Sequence, residues 1–442
     1  MRLTAPLAAA LGLLAVLPVF GSEPAAKLTH NGAIGAVRVE ASLVVGGEML
    51  RGDPATPERL PISAEAVTAY RQATRAEPAA AARRWYESGT LTVRGEKRAS
   101  LADPQETFVA ELRDGALSVG STTRSLTRNE IHLAELPADP LTLGGLLPTK
   151  AVQVSDEWTL GAEALGPLLG LDSVTLCDAT AVLTDLTVSH ARLRLAGVVH
   201  GASAGATTEI SLSGVALVDR RAGLVTQCNL GLEERREIGP ATPGLDTTAK
   251  VSVRCAVKDG GLADGAPAAE PLPDQGLTVS YLTRFEGPRG EWSCEAPRGW
   301  RMLSRTSATL SLGLVEDNRL AAELLLRTLP GRRPSLEQFS TEARSAIEAA
   351  SGAVAGVYEG ATPTGLISYA VHGHGEQSGE PAVWRHYLLA PAEPGPAVSA
   401  VATAPTPTRT DDGATPEQAV LDRLVIRPWS KIAATPTNNR RE

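Results

Sequence analysis

Apolar and polar residues alternate one for one along much of this chain, and a period of two is the side-chain repeat of a β-strand. The stretch GLVTQCNLGLEER shows it well. Leu224, Cys228, Leu230 and Leu232 fall on one face, and Gln227, Asn229 and Glu233 on the other. One face is dry and the other wet, as in a sheet packed on a single side. ATAVLTDLTV, HARLRLAGVV, TTEISLSGVALV and TAKVSVRCAV share the pattern. Short turns such as ASAGA and DRRAG separate these segments, so together they read as an antiparallel meander. Upstream, AIGAVRVEASLVV reads as a first strand, with SGTLTVRGEK, TFVAELR and ALSVGST as others. SAEAVTAYRQA and AAAARRWY read as helices. LTRNEIHLAEL reads as a short helix with Thr127 as N-cap and Glu130 in its first turn.

The pattern stops at residues 258–276, KDGGLADGAPAAEPLPDQG, which are Gly-, Pro-, Ala- and Asp-rich without period. This is a linker stiffened by its prolines. A second unit follows over 277–428, ordered strand, strand, hairpin, helix, three strands, short helix, strand. SATLSLGLVEDNRLAAELLLRTL is two strands around Glu316-Asp317-Asn318. Ser335 then opens the best-patterned helix, with Gln338 three residues on as a capping box. Leu336, Phe339, Ala343, Ile347 and Ala350 line one helix face, and Gly352 ends it. Thr415-Pro416-Glu417 starts a second helix with proline at its first position. Residues 429–442 read as a disordered tail.

Composition and the first residues set the compartment. Met1-Arg2 precedes the apolar run LTAPLAAALGLLAVLPVF, and Val19-Phe20-Gly21 offers a cleavage site. The segment 1–21 is a secretory signal peptide cut near Gly21. No cysteine follows it to carry a lipid. No later apolar run approaches the roughly 20 residues of a membrane-spanning helix. The expected protein is exported, periplasmic or extracellular, with no membrane span. A formal charge of −8 and no clustered basic face argue against nucleic acid as partner. The four cysteines form no CxxC pair, which disfavours a zinc finger or thioredoxin-like motif.

In the second unit, EWSCEAPRGWRML, the hairpin, the helix, LISYAVHG, WRHYLLAP and DRLVIRP follow in the order of the PsbP-like family, which this half resembles. The founding members of that family are extrinsic proteins of photosystem II. The resemblance implies an α/β/α sandwich around an antiparallel sheet. The N-terminal half resembles the curved antiparallel sheets of LolA-type lipoprotein carriers. Its GLLPTKAVQVSDEW is also similar to exported bacterial domains of unknown function that carry an LP…V…G-D-x-W element. Ser155 stands where that element usually has glycine. None of these resemblances brings catalytic residues with it.

Candidate chemistry concentrates in VHGHGEQSGEPAVWRHYLL, residues 371–389, which holds His372, His374 and His386. With Gly375–Pro381 as a symmetric turn, His372 lies opposite Trp384, and all three imidazoles share one face. Three histidines and a water make a known zinc arrangement. The competing reading is a solvated face, because no carboxylate stands ready to orient the rings beyond Glu376 and Glu380. HGASAG contains a G-x-S-x-G match at Ser203. A strand follows it where a nucleophile elbow needs a helix, so it reads as a hairpin turn. Cys228 and Cys255 are equidistant from the turn between their strands, as a cross-strand disulfide or as two buried thiols. Cys177 and Cys294 fall in different units and are not expected to bond. Arg51-Gly52-Asp53 reads as a proline-flanked loop, and Trp158 and Trp300 as core anchors. Asp156 and Glu157 are adjacent and cannot act as a paired acid and base.

The expectation is therefore a mainly β, α+β protein. An antiparallel curved-sheet domain with short helices over 22–257 precedes an α+β sandwich over 277–428. Neither unit suggests an enzyme or a cofactor. The expected role is binding or scaffolding in the bacterial cell envelope, with an apolar ligand or an envelope protein as partner. Carriage of a lipid or lipoprotein acyl chain in the N-terminal sheet is one alternative, and a metal-dependent enzyme using the histidine hairpin is another.

Overall fold

The computed structural model describes residues 25–30, 36–75, 81–103, 105–113, 115–257, 278–329, 333–405 and 415–427. The expected signal peptide, the 258–276 linker and the 429–442 tail lie outside the described residues. The chain is mainly β, and its sheets are antiparallel apart from one short pairing.

The N-terminal half opens with β1 (Ala36–Arg51), β2 (Glu58–Arg75), β3 (Ala81–Val93), β4 (Glu96–Ser100), β5 (Phe108–Arg113) and β6 (Ala116–Ser121). Then come β7 (Leu126–Thr127), α1 (Arg128–Ala134), a 3-10 turn (Leu143–Leu146), β8 (Glu157–Thr159) and α2 (Ala162–Leu169). The meander is β9 (Ser173–Leu186), β10 (His190–Ser203), β11 (Ala206–Asp219), β12 (Leu224–Arg236) and β13 (Gly244–Val257). All but β7 join one sheet, ordered β6-β5-β3-β2-β1-β13-β12-β11-β10-β9-β8, with β4 paired to β3.

Two stretches expected as helices are strands. SAEAVTAYRQA lies in β2 and most of AAAARRWY in β3, where they pair with each other from Ala64↔Val93 to Arg75↔Ala81. Ala66, Thr68, Tyr70 and Gln72 are buried while Glu65 and Val67 are exposed, a period of two that the alanines obscure in the sequence. Long-range pairing with β1 outweighs alanine's local helix preference. The strands are long enough to coil, and two glycines permit it. At Gly197, with φ +153°, a Cβ would stand 2.2 Å from the Asp178 carbonyl oxygen. Gly47, with φ +146°, meets Asp246 in the same way.

One face of this sheet is covered by α1, the 3-10 turn and α2. Ile131, Leu133, Leu143, Leu146, Leu165 and Leu168 from that cover meet Val39, Leu193, Leu195, Leu212, Leu230 and Val253 from the strands. Tyr70, Tyr86 and Phe108 stack in sequence, with ring centroids 5.0 and 4.9 Å apart. α1 starts with the expected reciprocal cap: Thr127 Oγ1 accepts from the Glu130 N–H, and the Glu130 carboxylate accepts from the Thr127 N–H at 2.8 Å.

The second half contains β14 (Thr283–Glu286), β15 (Trp292–Ala296), β16 (Trp300–Arg305), β17 (Thr309–Glu316) and β18 (Arg319–Leu329). It continues with α3 (Leu336–Ala349), β19 (Ala353–Ala361), β20 (Ile367–Gln377), β21 (Glu380–Ala390), β22 (Ala397–Pro405), α4 (Gln418–Leu421) and β23 (Val425–Ile426). Seven of these strands form a sheet in the order β16-β17-β18-β22-β21-β20-β19. α3 covers one face through Phe339, Ala343 and Ile347, packed on Val371, Trp384 and Leu388. Val420 and Leu421 of α4, with Trp292 and Cys294 of β15, cover the other. Ser335 caps α3 by accepting from the Gln338 N–H at 3.1 Å, but the Gln338 side chain turns to Glu342, so half of the expected capping box forms.

The halves are joined directly. β7 pairs in parallel with β14, and Ser121 and Ser280 exchange backbone hydrogen bonds. Arg298 donates to the Tyr281 carbonyl at 2.6 Å, to Glu135 at 2.9 Å and to the Val119 carbonyl. No helix among the described residues is long and apolar enough to cross a membrane.

Candidate binding trough on the open face of the long sheet

Paired residues on neighbouring strands share a face, so the register can be followed across the sheet. From Glu157 on β8 the partners run Val182, Arg194, Val215, Asn229, Ser252 and Ser42. A parallel row runs Thr180, Ala196, Ser213, Gly231, Lys250 and Val44. All face away from the helices. Coiling of the strands makes this face concave, and with Arg192, Leu217 and Gln227 these rows line a trough of about 1190 Å³. It crosses seven strands, from β8 to β1. At about 4.8 Å per strand that is roughly 30 Å.

The trough owes its depth to small residues. Ala196, Ser213, Gly231, Ser252 and Ser42 leave room between longer neighbours. Val182, Val215 and Leu217 are half-buried in this otherwise polar face, and Val44 is 51% exposed. Asn229 is set in place by the Ser252 hydroxyl, which donates to its Oδ1 at 2.8 Å. Arg192, Arg194 and Lys250 bring three positive charges, against one carboxylate, Glu157, among the described lining residues. None of these three cations is ion-paired among the described residues.

A second groove of about 650 Å³ adjoins it at Glu157 and is walled by the LLPTKAVQVSDEWT segment. Ser155 there has φ +76°, the left-handed conformation that glycine adopts without strain. Asp156 accepts from the Gln153 N–H at 2.8 Å, so its carboxylate serves the turn, while Glu157 reaches the trough. Trp158 donates to the Leu146 carbonyl at 3.1 Å and anchors β8 to the helical cover. On the apolar face the space left beside Tyr70, Leu133 and Asp139 is about 10 Å³, no more than one water. SAEAVTAYRQA, the helix expected to close over an acyl chain, is instead part of the sheet, and α1 and α2 cover that face.

The histidines of the β20–β21 hairpin separate. Its turn is the two residues Ser378 and Gly379, with φ +55° and +83°, which places His372 opposite Arg385 and His386 opposite Val371. The expected pairing of His372 with Trp384 is displaced by one residue, and a one-residue shift moves a side chain to the other face. His386 therefore sits on the α3 side with Trp384 and Leu388, while His372 and His374 sit on the other. His372 lies between Tyr358 and Tyr387, with ring centroids at 4.7 and 6.0 Å. Burial pushes both His372 and His386 below the usual imidazole range. Among the described residues no group of three His, Cys, Asp or Glu side chains is placed to hold a metal.

The cysteines are free thiols. Cys228 faces Val253 on β13, and Cys255 faces Val39 on β1, so they are diagonal neighbours rather than a direct pair. Diagonal Cβ atoms stand about 7 Å apart, beyond disulfide reach. The expected pairing misses by two residues, because the loop between β12 and β13 is not symmetric. Ser203 ends β10, and Ala204-Gly205 turns the chain into β11 with both φ values positive. Arg51-Gly52-Asp53 sits at the exposed β1–β2 tip, where the Asp53 carboxylate accepts from the Ala55 N–H.

The sequence reading missed Arg192, Arg194, Lys250 and the aliphatic residues between them. A signal for them exists: Val215 and Leu217 interrupt the polar face of β11, beside the small residues Ala196, Ser213 and Gly231.

No known family model matches the chain, and no curated protein does. Among solved structures, a protein from Bacteroides thetaiotaomicron VPI-5482 is 10% identical over 33% of this chain, with a TM-score of 0.23. The chain spans about half of that structure, 49%. A porin of Rh. blastica is 8% identical over 83% of this chain and 98% of its own, at a TM-score of 0.11. The outer membrane protein OprD from Pseudomonas aeruginosa is 10% identical over 86% of this chain and 97% of its own, also at 0.11. Similarity at these scores assigns neither fold nor activity.

Proposed function

We propose that this chain is an exported, non-catalytic binding or scaffolding protein of the bacterial cell envelope, and that its ligand lies in the trough on the open face of the long sheet. The observation that carries this reading is the trough itself. It is larger than the roughly 300–1000 Å³ of ordinary ligand pockets. It holds half-buried aliphatic side chains on a face that the sequence otherwise keeps polar, and its cations lack partners among the described residues.

A thiol footprint tests the reading. Ser213→Cys puts a reactive thiol in the trough, and Val188→Cys puts one on a turn outside it, at a position 82% exposed. Envelope extract should slow alkylation of the first and leave the second unchanged. Equal rates with and without extract at both positions contradict the proposal.

A further inference from the structure

We infer that the trough takes an amphiphile with an anionic head, seated on Arg192 and Arg194, with its alkyl part laid over Val215 and Leu217 toward Lys250. This rests on the reading of the trough as the ligand site and specifies what fills it. The two arginines are two residues apart on β10, so their side chains leave the same face about 7 Å apart. Two guanidinium forks at that spacing suit a single carboxylate, sulfate or phosphate.

Their neighbours on the open face are aliphatic but for one carboxylate. Arg194 has Val182 on one neighbouring strand and Val215 on the other, and Arg192 has Leu217 on β11 and Asp185 on β9, which forms no ion pair with it among the described residues. A head on the arginines therefore leads directly onto apolar side chains. Lys250 stands three strands away on β13, about 14 Å along the trough, with small residues between. Glu157, two strands beyond Arg194 in the other direction, opposes an anion at that end and favours the chain running toward Lys250. No aromatic side chain is among the described lining residues, so the stacking that would hold a sugar ring is missing.

The test titrates the mature protein calorimetrically, below micelle-forming concentrations, with dodecyl phosphate, dodecanoate, dodecyl maltoside and inorganic phosphate. Dodecyl phosphate or dodecanoate should bind at least about tenfold more tightly than dodecyl maltoside and inorganic phosphate. The stronger of the two distinguishes a phosphate-headed lipid from a fatty acid. The double variant Arg192→Gln, Arg194→Gln should bring the anionic probes down to the neutral level, and Val215→Asn should weaken every dodecyl probe. All of these positions are on the open face, and a wild-type melting curve verifies folding of each variant. Equal binding of dodecyl maltoside, or an unchanged double variant, overturns the head-group assignment. If no probe binds while envelope extract still protects Ser213→Cys, the amphiphile is wrong and the trough reading stands. If nothing protects that thiol, both fall.

Discussion

Arg84 and Asp139 meet at 2.6 Å in the N-terminal core, with side chains 0% and 3% exposed. Arg84 also donates to Gln72 at 2.9 Å and stacks over the Tyr70 ring, its guanidinium carbon 4.9 Å from the centroid. The pair ties the loop after α1 to β3, and so holds the helical cover on the sheet whose other face is the trough. Removing one partner leaves a buried charge alone. Asp139→Ala should cost about 3–5 kcal/mol, while the double change Arg84→Met, Asp139→Leu should cost less than the single one. Urea denaturation of the three proteins checks the ranking.

Arg298 makes the corresponding link between the halves. Burial raises the Glu135 carboxyl, and the charge of Arg298 opposes that rise. Arg298→Ala removes this partner and the hydrogen bonds to two carbonyls, at a cost of roughly 2–3 kcal/mol. Calorimetry should show one melting transition split into two, because the two-residue β7–β14 pairing and the Ser121–Ser280 bridge that remain are too short to couple the halves. A single transition at an unchanged temperature would count against the link.

The buried imidazoles set a pH dependence. His30, His372 and His386 are each held below their ordinary value of 6.5, by burial first. As pH falls the unfolded chain takes up protons before the folded one does. The stability present above pH 6.5 is then lost as pH drops toward the lowered folded values. Melting temperature should fall as pH drops below about 6.5, and His372→Gln with His386→Gln should flatten that slope. The same separation of the rings predicts that zinc added to the purified protein is not held stoichiometrically by this hairpin.

Thiol chemistry tests the register of β12 and β13. Burial pushes Cys228 and Cys255 each up to about 12, so neither thiolate is present near neutral pH. Non-reduced protein should give the mass of four free thiols. Alkylation in the folded state should reach half-exposed Cys177 first and spare Cys228 and Cys255 until unfolding. A Cys228–Cys255 disulfide in the purified protein would show that the strands slide by two residues.

The outcome divides by the range of the interaction. The dry face of β12 was legible because Cys228, Leu230 and Leu232 alternate cleanly with Gln227, Asn229 and Glu233, and all three are buried. The Thr127–Glu130 cap was legible because both partners lie within one turn. β2 was not, since Ala64, Ala66, Ala69 and Ala73 fall on both faces and hide a strand that only its neighbours enforce. Hairpin register was not either: one residue in the Ser378-Gly379 turn decides which face His386 takes. The trough was hardest, because Arg194, Val215 and Ser252 become neighbours only through three separate strand pairings.

The central claim is that the open face, rather than the filled apolar one, receives the ligand. Relative alkylation rates of Ser213→Cys and Val188→Cys in envelope extract test it most directly. The account predicts slowing at Ser213→Cys alone. Unslowed modification there, with a bound component that instead releases or shifts α1 and α2, would contradict it.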